Sequence, residues 1–150
     1  MVKYPVSESS FREIIRGGYK YVDKTMYIHQ LVKTGKFYFL SRPRRFGKSM
    51  LLSTMFSYFN ADRELFKGLA LDSLEPEEWT KYPVLRLDFT RSGYNNAEDL
   101  PRFLEKVIDD WEKEFGTSHP DQNPDWRFDQ LIHDIPVSYT HLRAHETGRN

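Results

Sequence analysis

The sequence has no cysteine and no long apolar run. Without cysteine, the 150-residue chain can form no disulfide, no thiolate metal site and no cysteine nucleophile, which fits a reducing compartment. No segment approaches the roughly 18 to 20 apolar residues that span a bilayer, and the first five residues lack the apolar stretch of a signal peptide. We therefore expect a cytoplasmic protein with no membrane contact. Aromatic residues make up 15% of the chain, enough for a packed core.

The net charge of the chain is also zero, but it is the sum of a basic part and an acidic part. The chain has 22 Lys and Arg against 22 Asp and Glu. Residues 1–50 carry 11 basic and 3 acidic side chains, a net charge of +8, whereas residues 51–135 carry 9 and 18, a net charge of −9. The basic part lies at the amino-terminal end, where a phosphate-bearing ligand could use it.

Apolar spacing and capping residues predict several helices. Ser10 and Glu13 have the spacing of a capping box and Gly17 follows as a stop, so we expect a short helix over Phe11–Arg16. Apolar residues at helical spacing predict the others, and each series except the last is ended by Gly or Asn. These run from Met26 to before Gly35, from Leu51 to Asn60, around Asp62–Phe66, from Asn96 or Asp99 to Phe115, and from about Phe128 to Ile132.

Two further segments are predicted to be strands. Phe37–Leu40 is an uninterrupted apolar run, which suits a strand buried on both faces of a parallel sheet. Val84–Phe89 is introduced by Pro83 and has strand character. The order strand, helix, strand, helix predicts an α/β fold, a parallel sheet with flanking helices.

The loop from Ser41 to Ser49, between the first strand and its helix, carries the chemistry. A nucleoside triphosphate needs N–H donors around its phosphates, a cation and a hydroxyl on Mg²⁺, and a loop that leads into a helix amino terminus supplies the donors. Gly47 allows close backbone approach, Lys48 supplies the charge and Ser49 the metal-facing hydroxyl. The usual P-loop begins with Gly where Arg42 stands. The alternative is a solvated basic loop made of Arg42, Arg44, Arg45 and Lys48.

The loop belongs to a longer series of motifs, which are Tyr4-Pro5-Val6, Ser10-Phe11, Gly17-Gly18-Tyr19, Tyr21-Val22-Asp23-Lys24-Thr25, Tyr38 to Ser49, Leu65 to Leu69, Pro83-Val84 and Leu87-Asp88-Phe89. With these motifs the chain resembles the amino-terminal region of the bacterial and archaeal AAA-ATPase-like family. The resemblance covers residues 4–135, and in that family Arg-Pro-Arg-Arg-Phe-Gly-Lys-Ser is the normal form of the P-loop, so Arg42 is no departure. It implies that ATP and Mg²⁺ are the ligands, with Lys48 catalytic and Ser49 on the metal. The nucleotide would contact Arg44, Arg45, Phe46, Gly47, Lys48, Ser49 and Met50.

A complete catalytic site needs more than this chain supplies. Hydrolysis requires an acidic residue that holds Mg²⁺ through water at the end of a second strand, and a carboxylate that orients the attacking water. That second strand is called the Walker B strand, and in the resembling family it lies further along the chain. This favours a structural role for Asp88 over a role in holding Mg²⁺ through water. We expect a domain truncated before that strand, with hydrolysis only in the complete protein. Full-length members commonly carry a carboxy-terminal PD-(D/E)xK nuclease-like domain, through which nucleic acid would be a partner.

The last residues are expected to be foreign to the domain. Residues 137–147 resemble the translation of a common sequencing-library adaptor and have no helical or strand periodicity. We therefore expect residues 1–135 to be the domain fragment and residues 136–150 to be a non-native tail.

Two other polar groups allow alternatives. Asp23, Lys24 and Thr25 form either a helix cap or a nucleotide contact. The acidic side chains of Asp109, Asp110, Glu112 and Glu114 lie off the apolar stripe, which favours a solvated helix face over acid–base chemistry. A rival function is a non-catalytic module whose basic loop binds nucleic acid or another anion.

Overall fold

The computed structural model describes residues 3–6, 8–35, 37–89, 99–120 and 122–146, with residues 136–146 described as backbone only. The chain divides into two compact units, Met1–Val84 and Leu85–Asn150. The first contains α1 (Phe11–Arg16), α2 (Met26–Thr34), α3 (Lys48–Phe59), a 3₁₀ turn (Arg63–Phe66) and α4 (Ala70–Leu74). The second contains α5 (Asp99–Phe115) and α6 (Pro124–Glu146).

The helices predicted from local signals are confirmed. α1 has the predicted bounds, and the Ser10 hydroxyl accepts a hydrogen bond from the Glu13 N–H at 3.4 Å. The other half of the predicted capping box comes from elsewhere, because Glu8 Oε1 accepts from the Ser10 N–H at 2.7 Å. α2, α3 and α5 end where predicted, at the residues before Gly35, Asn60 and Gly116. The alternative start of α5 at Asn96 lies outside the described residues.

The predicted parallel sheet is wrong. Within the described residues every regular element is a helix, and the single β-bridge joins Lys3 to Tyr19. Phe37 and Phe39 are 95% and 94% exposed, the opposite of a strand buried on both faces. An apolar run can become a strand only if another segment supplies hydrogen bonds and packing. No described segment does so for Phe37–Leu40 or Val84–Phe89, and the run itself carries no information about a partner.

The core of the first unit joins its helices and the 3₁₀ turn. Phe11 from α1 and Phe66 from the turn are fully buried, with ring centroids 4.8 Å apart. Ile28, Leu65 and Leu71 complete the buried cluster. α3 is held against α1 by a hydrogen bond in which the Phe11 N–H donates to Ser53 Oγ at 2.9 Å. This packing fixes the helix at whose amino terminus the Ser41–Ser49 loop ends.

In the second unit α5 packs against α6 around a buried ion pair. Arg127 Nη2 lies 2.6 Å from Glu112 Oε2 and 2.5 Å from Asp109 Oδ1, and Arg127 Nε lies 3.2 Å from Glu112 Oε1. Glu112 is 4% exposed. The predicted solvated face is therefore wrong for Glu112. The hydrogen bonds from Arg127 hold the pKa of Glu112 below its ordinary value, although burial acts in the opposite direction.

α6 is longer than the sequence pattern predicts. It begins at Pro124 and continues to Glu146, through most of the segment that has no helical periodicity. The helical backbone thus continues as far as Glu146 without an apolar periodicity that would predict it. Whether residues 136–150 are native to the protein stays a prediction.

Candidate functional site

The loop before α3 has an unusual backbone. Arg45 and Gly47 both lie in the left-handed region, with φ of 66° and 76°, and Phe46 between them does not. Such alternation turns successive N–H groups toward one side and forms an anion-binding concavity, called a nest. A positive φ is costly for a residue with a side chain, so its presence at Arg45 indicates a conformation that the surrounding loop imposes. A side chain at Gly47 would meet nothing within 4 Å, so only the backbone angle requires glycine there.

The nest leads directly into the amino terminus of α3. Gly47 is the N-cap residue, no side chain caps this helix, and the first turn has no acidic residue. The first backbone bond of the helix runs from the Leu51 N–H to the Gly47 carbonyl at 2.9 Å. The N–H groups of Lys48, Ser49 and Met50 have no acceptor among the described residues. Uncapped N–H groups and the helix dipole together favour a bound anion.

Several basic side chains come from the loop that precedes this amino terminus. Arg42, Arg44 and Arg45 are exposed, and none of them makes an ion pair with the described residues. Lys48 is half-buried, and its Nζ donates to the Arg42 carbonyl at 2.5 Å, so the ammonium lies across the loop. The loop is closed further by Arg42 Nη1, 3.4 Å from the Phe46 carbonyl.

The remaining predicted site residues divide between solvent and core. Ser49 is exposed and Phe46 is 64% exposed, so both are accessible to a ligand. Met50 instead packs its side chain against the core cluster, and its carbonyl accepts a hydrogen bond from Thr54 Oγ1 at 2.8 Å. Met50 can therefore offer a ligand its backbone N–H, while its side chain anchors the helix.

Asp23 and Thr25 cap a helix that the sequence does not place near them. Asp23 Oδ2 accepts from the Ala70 N–H at 2.7 Å, and Thr25 Oγ1 accepts from the Leu71 N–H at 3.0 Å. Both N–H groups belong to the first turn of α4, whereas the neighbouring α2 receives no side-chain cap. Burial acts to raise the pKa of Asp23, but the hydrogen bonds from Thr25 and Ala70 outweigh it and lower that pKa. Asp23 and Thr25 therefore cap a helix, as the first alternative predicts, but the helix is α4 and not α2, which follows them in the chain.

The cap of α4 gives the first prediction. Thr25 is fully buried, so replacing it with valine keeps the volume but leaves the Leu71 N–H without its acceptor. Thr25→Val should lower the free energy of unfolding by about 1 to 3 kcal/mol, measured by urea denaturation. Affinity for nucleotide, measured below the unfolding transition, should stay unchanged. A loss of affinity with full stability would instead make Thr25 a ligand-contacting residue.

Asp88 and one further polar group lie outside the loop before α3. Asp88 is half-buried in the second unit, and the structure assigns it no chemical role. The further polar group, not predicted from the sequence, consists of His29, Tyr58 and Glu75. Its two Glu75 oxygens lie 2.8 Å from His29 Nδ1 and 2.9 Å from the Tyr58 hydroxyl. These residues are distant in the chain, and no spacing rule connects them.

Comparison with known proteins identifies the family. The chain matches the family described as Predicted AAA-ATPase over residues 5–142. It belongs to this AAA-ATPase-like family. The resemblance found in the Ser41–Ser49 loop and its flanking motifs is thus confirmed, and the match extends into the segment predicted to be a tail.

A curated relative matches most of the chain. The chain is 36% identical over 132 residues to an uncharacterized protein in the vnfD 5′ region of Azotobacter chroococcum mcd 1. The match covers 87% of this chain but 25% of that relative, so this AAA-ATPase-like chain spans about a quarter of the relative's length. No solved structure matches the chain. Among the described residues, no helix has the length and apolar character needed to cross a membrane.

Proposed function

We propose that this chain binds Mg-ATP through the loop Ser41–Ser49 and the amino terminus of α3. The observation that carries the proposal is the nest at Arg45 and Gly47, which leads into an uncapped helix end. The backbone N–H groups of Gly47, Lys48 and Ser49 would bind the β-phosphate region. The family assignment supports a nucleotide rather than another anion.

The side chains present suit the charges of Mg-ATP. Lys48 donates only to a main-chain carbonyl, a bond that it can exchange for phosphate oxygens, which attract an ammonium more strongly. Ser49 is exposed in the first turn of α3 and supplies a neutral oxygen, a ligand type that Mg²⁺ accepts. The guanidinium groups of Arg44 and Arg45 would add charge near the terminal phosphates. Mg²⁺ would screen the phosphate charge.

Hydrolysis of the β–γ bond is proposed for a longer protein, not for these residues alone. Lys48 is the residue here that would stabilise charge on the transferred phosphoryl group. The water-orienting carboxylate would come from sequence outside this chain. A nuclease-like domain and a nucleic-acid partner belong to the same proposal for the longer protein. A cytoplasmic location belongs to the same proposal.

A titration separates this proposal from the rival of nucleic-acid binding. Fluorescently labelled ATP is titrated with the 150-residue chain, with Mg²⁺ and with EDTA, at low and at moderate salt. Mg-ATP binding should require the divalent ion and depend modestly on salt. A single-stranded oligonucleotide probe that binds without Mg²⁺, and whose affinity falls steeply with salt, would favour the anion-binding module instead.

The metal role of Ser49 gives the second prediction. Ser49→Ala removes the hydroxyl but keeps a good helix former, so the fold should be unchanged. Affinity for ATP with Mg²⁺ should fall about tenfold, whereas residual binding in EDTA should not change. Ser53→Ala is not a suitable control, because Ser53 Oγ accepts the hydrogen bond that joins α3 to α1. Ser73→Ala is suitable, because Ser73 is an exposed residue of α4. Equal losses with and without Mg²⁺ would contradict a metal-facing hydroxyl.

A further inference from the structure

A second concave site lies in the first unit, away from the loop before α3. It has a volume of about 390 Å³ and lies between α2, the last turns of α3 and the segment after α4. Its walls combine aromatic rings, from Tyr58, Trp79 and Tyr82, with the carboxylates of Glu77 and Glu78. Aromatic faces beside carboxylates are the surroundings that bind organic cations.

The backbone of this pocket is fixed by hydrogen bonds. Arg63 Nη1 donates to the carbonyls of Pro76 and Glu77 at 3.0 and 2.7 Å. Trp79 Nε1 donates to the Glu75 carbonyl at 3.1 Å. The Glu75 carboxylate is itself occupied by His29 and Tyr58, and burial together with this bond raises the pKa of Tyr58. The walls are therefore pre-organised, which reduces the entropic cost of binding.

The charges at the pocket are unbalanced toward the negative. Neither Glu77 nor Glu78 has a hydrogen-bond or ion-pair partner for its side chain within the described part of the chain. Among the described residues, Lys33 is the basic side chain that lines the pocket, and Arg63 lies beside it over the Trp79 ring, with its Nε 3.2 Å from Asp72 Oδ1. Glu77 and Glu78 thus add two carboxylates to a site whose nearby guanidinium already has an acidic partner. An incoming cation would give these two carboxylates the partners that the described residues do not supply.

Trp79 already binds one guanidinium group. The Arg63 Cζ atom lies 5.9 Å from the centre of the Trp79 ring, on one of its faces. A planar guanidinium stacks on an aromatic ring and pairs with a carboxylate in two-pronged geometry, which an ammonium cannot do. We propose that the pocket of Trp79, Glu77 and Glu78 binds an arginine side chain of a partner protein.

The test uses N-acetyl-arginine amide as the probe and the 150-residue chain as the protein. Binding is followed by the NMR signal of the Trp79 indole N–H. N-acetyl-citrulline amide, which has nearly the same shape without the charge, should bind at least about tenfold more weakly. Glu77→Gln with Glu78→Gln should weaken arginine binding about threefold to tenfold, and Lys33→Ala should strengthen it about twofold. Both changes are on exposed side chains, so the fold should persist.

A matched control removes two carboxylates elsewhere on the same unit. Glu13→Gln with Glu64→Gln changes the net charge equally, but neither residue lines the pocket, so arginine affinity should stay within about twofold. The proposal is overturned by equal binding of arginine and citrulline, by equal losses in the two double variants, or by weaker binding in Lys33→Ala. The last result would indicate an anionic ligand. No nucleotide is present, so the outcome is independent of Mg-ATP binding.

Discussion

Replacement of Lys48 with alanine should weaken Mg-ATP binding by about 100-fold or more. The ammonium group would make charge-assisted bonds to phosphate oxygens, each worth about 1.5 to 3 kcal/mol, and alanine makes none. In the free protein the same ammonium donates to the Arg42 carbonyl at the surface, so its loss should have little effect on folding. The measurement is a titration with fluorescently labelled ATP at fixed Mg²⁺.

The control for this variant is Lys67→Ala. Lys67 is an exposed lysine of the same unit, and it lies outside the loop that binds phosphate. Its replacement removes the same charge and should change ATP affinity by less than about twofold. Similar affinities in Lys48→Ala and the wild type would show that the ammonium does not contact the nucleotide. Lys48→Arg should fail to restore full affinity, because a planar guanidinium does not replace a compact ammonium.

Replacement of Arg127 with alanine should lower the free energy of unfolding by about 3 kcal/mol at neutral pH. Glu112 is 4% exposed in the folded protein, and without the guanidinium its carboxylate loses its hydrogen bonds to Arg127 and keeps the His119 ring, whose Nδ1 lies 3.6 Å away. The cost is the desolvation of a charge that has lost its main cation, which exceeds the value of a surface ion pair. This loss of stability is measured by urea denaturation, with the NMR signals of the Trp111 and Trp126 indoles as the probes of unfolding. Lys113→Ala, at an exposed position of α5, is the control and should cost little.

The same pair predicts the direction of a pH dependence. The folded-state pKa of Glu112 is lower than its ordinary value, so the ion pair stabilises the protein fully above that ordinary pKa. Its contribution is lost as the pH falls through the lower folded-state pKa. In Arg127→Ala, burial should raise the pKa of Glu112, so this carboxylate is protonated at a higher pH than in the wild type. The difference in the free energy of unfolding between the two proteins should therefore become smaller as the pH falls. A difference that grows in acid would contradict the role of this pair.

The elements predictable from the sequence are those fixed by neighbouring residues. α1 needs only the Ser10 cap and the stop at Gly17, both within a few residues, so its bounds follow directly. The Ser41–Ser49 loop was also recognisable, because glycine, lysine and serine occur together before a helix. The positive φ of Arg45 was not, since no rule on residue type predicts a left-handed arginine.

The features that were not predictable depend on residues distant in the chain. Thr25 caps α4 through Leu71, 46 positions away, and no spacing rule links the two. Glu112 is buried because Arg127 of another helix meets it, although its place off the apolar stripe favoured solvent. The strand predicted at Phe37–Leu40 failed for the same reason. Its apolar run predicts burial, and only a partner segment could have made it part of a sheet.

The central claim is that the backbone of the loop and the first turn of α3 bind the phosphates. The most direct test is a ¹H–¹⁵N NMR titration of the chain with Mg-ATP, with Mg²⁺ alone as the reference. We predict the largest shifts at the amides of Gly47, Lys48 and Ser49, because their N–H groups would donate to phosphate oxygens. Shifts confined to other residues, or none in this loop at saturating Mg-ATP, would contradict the account.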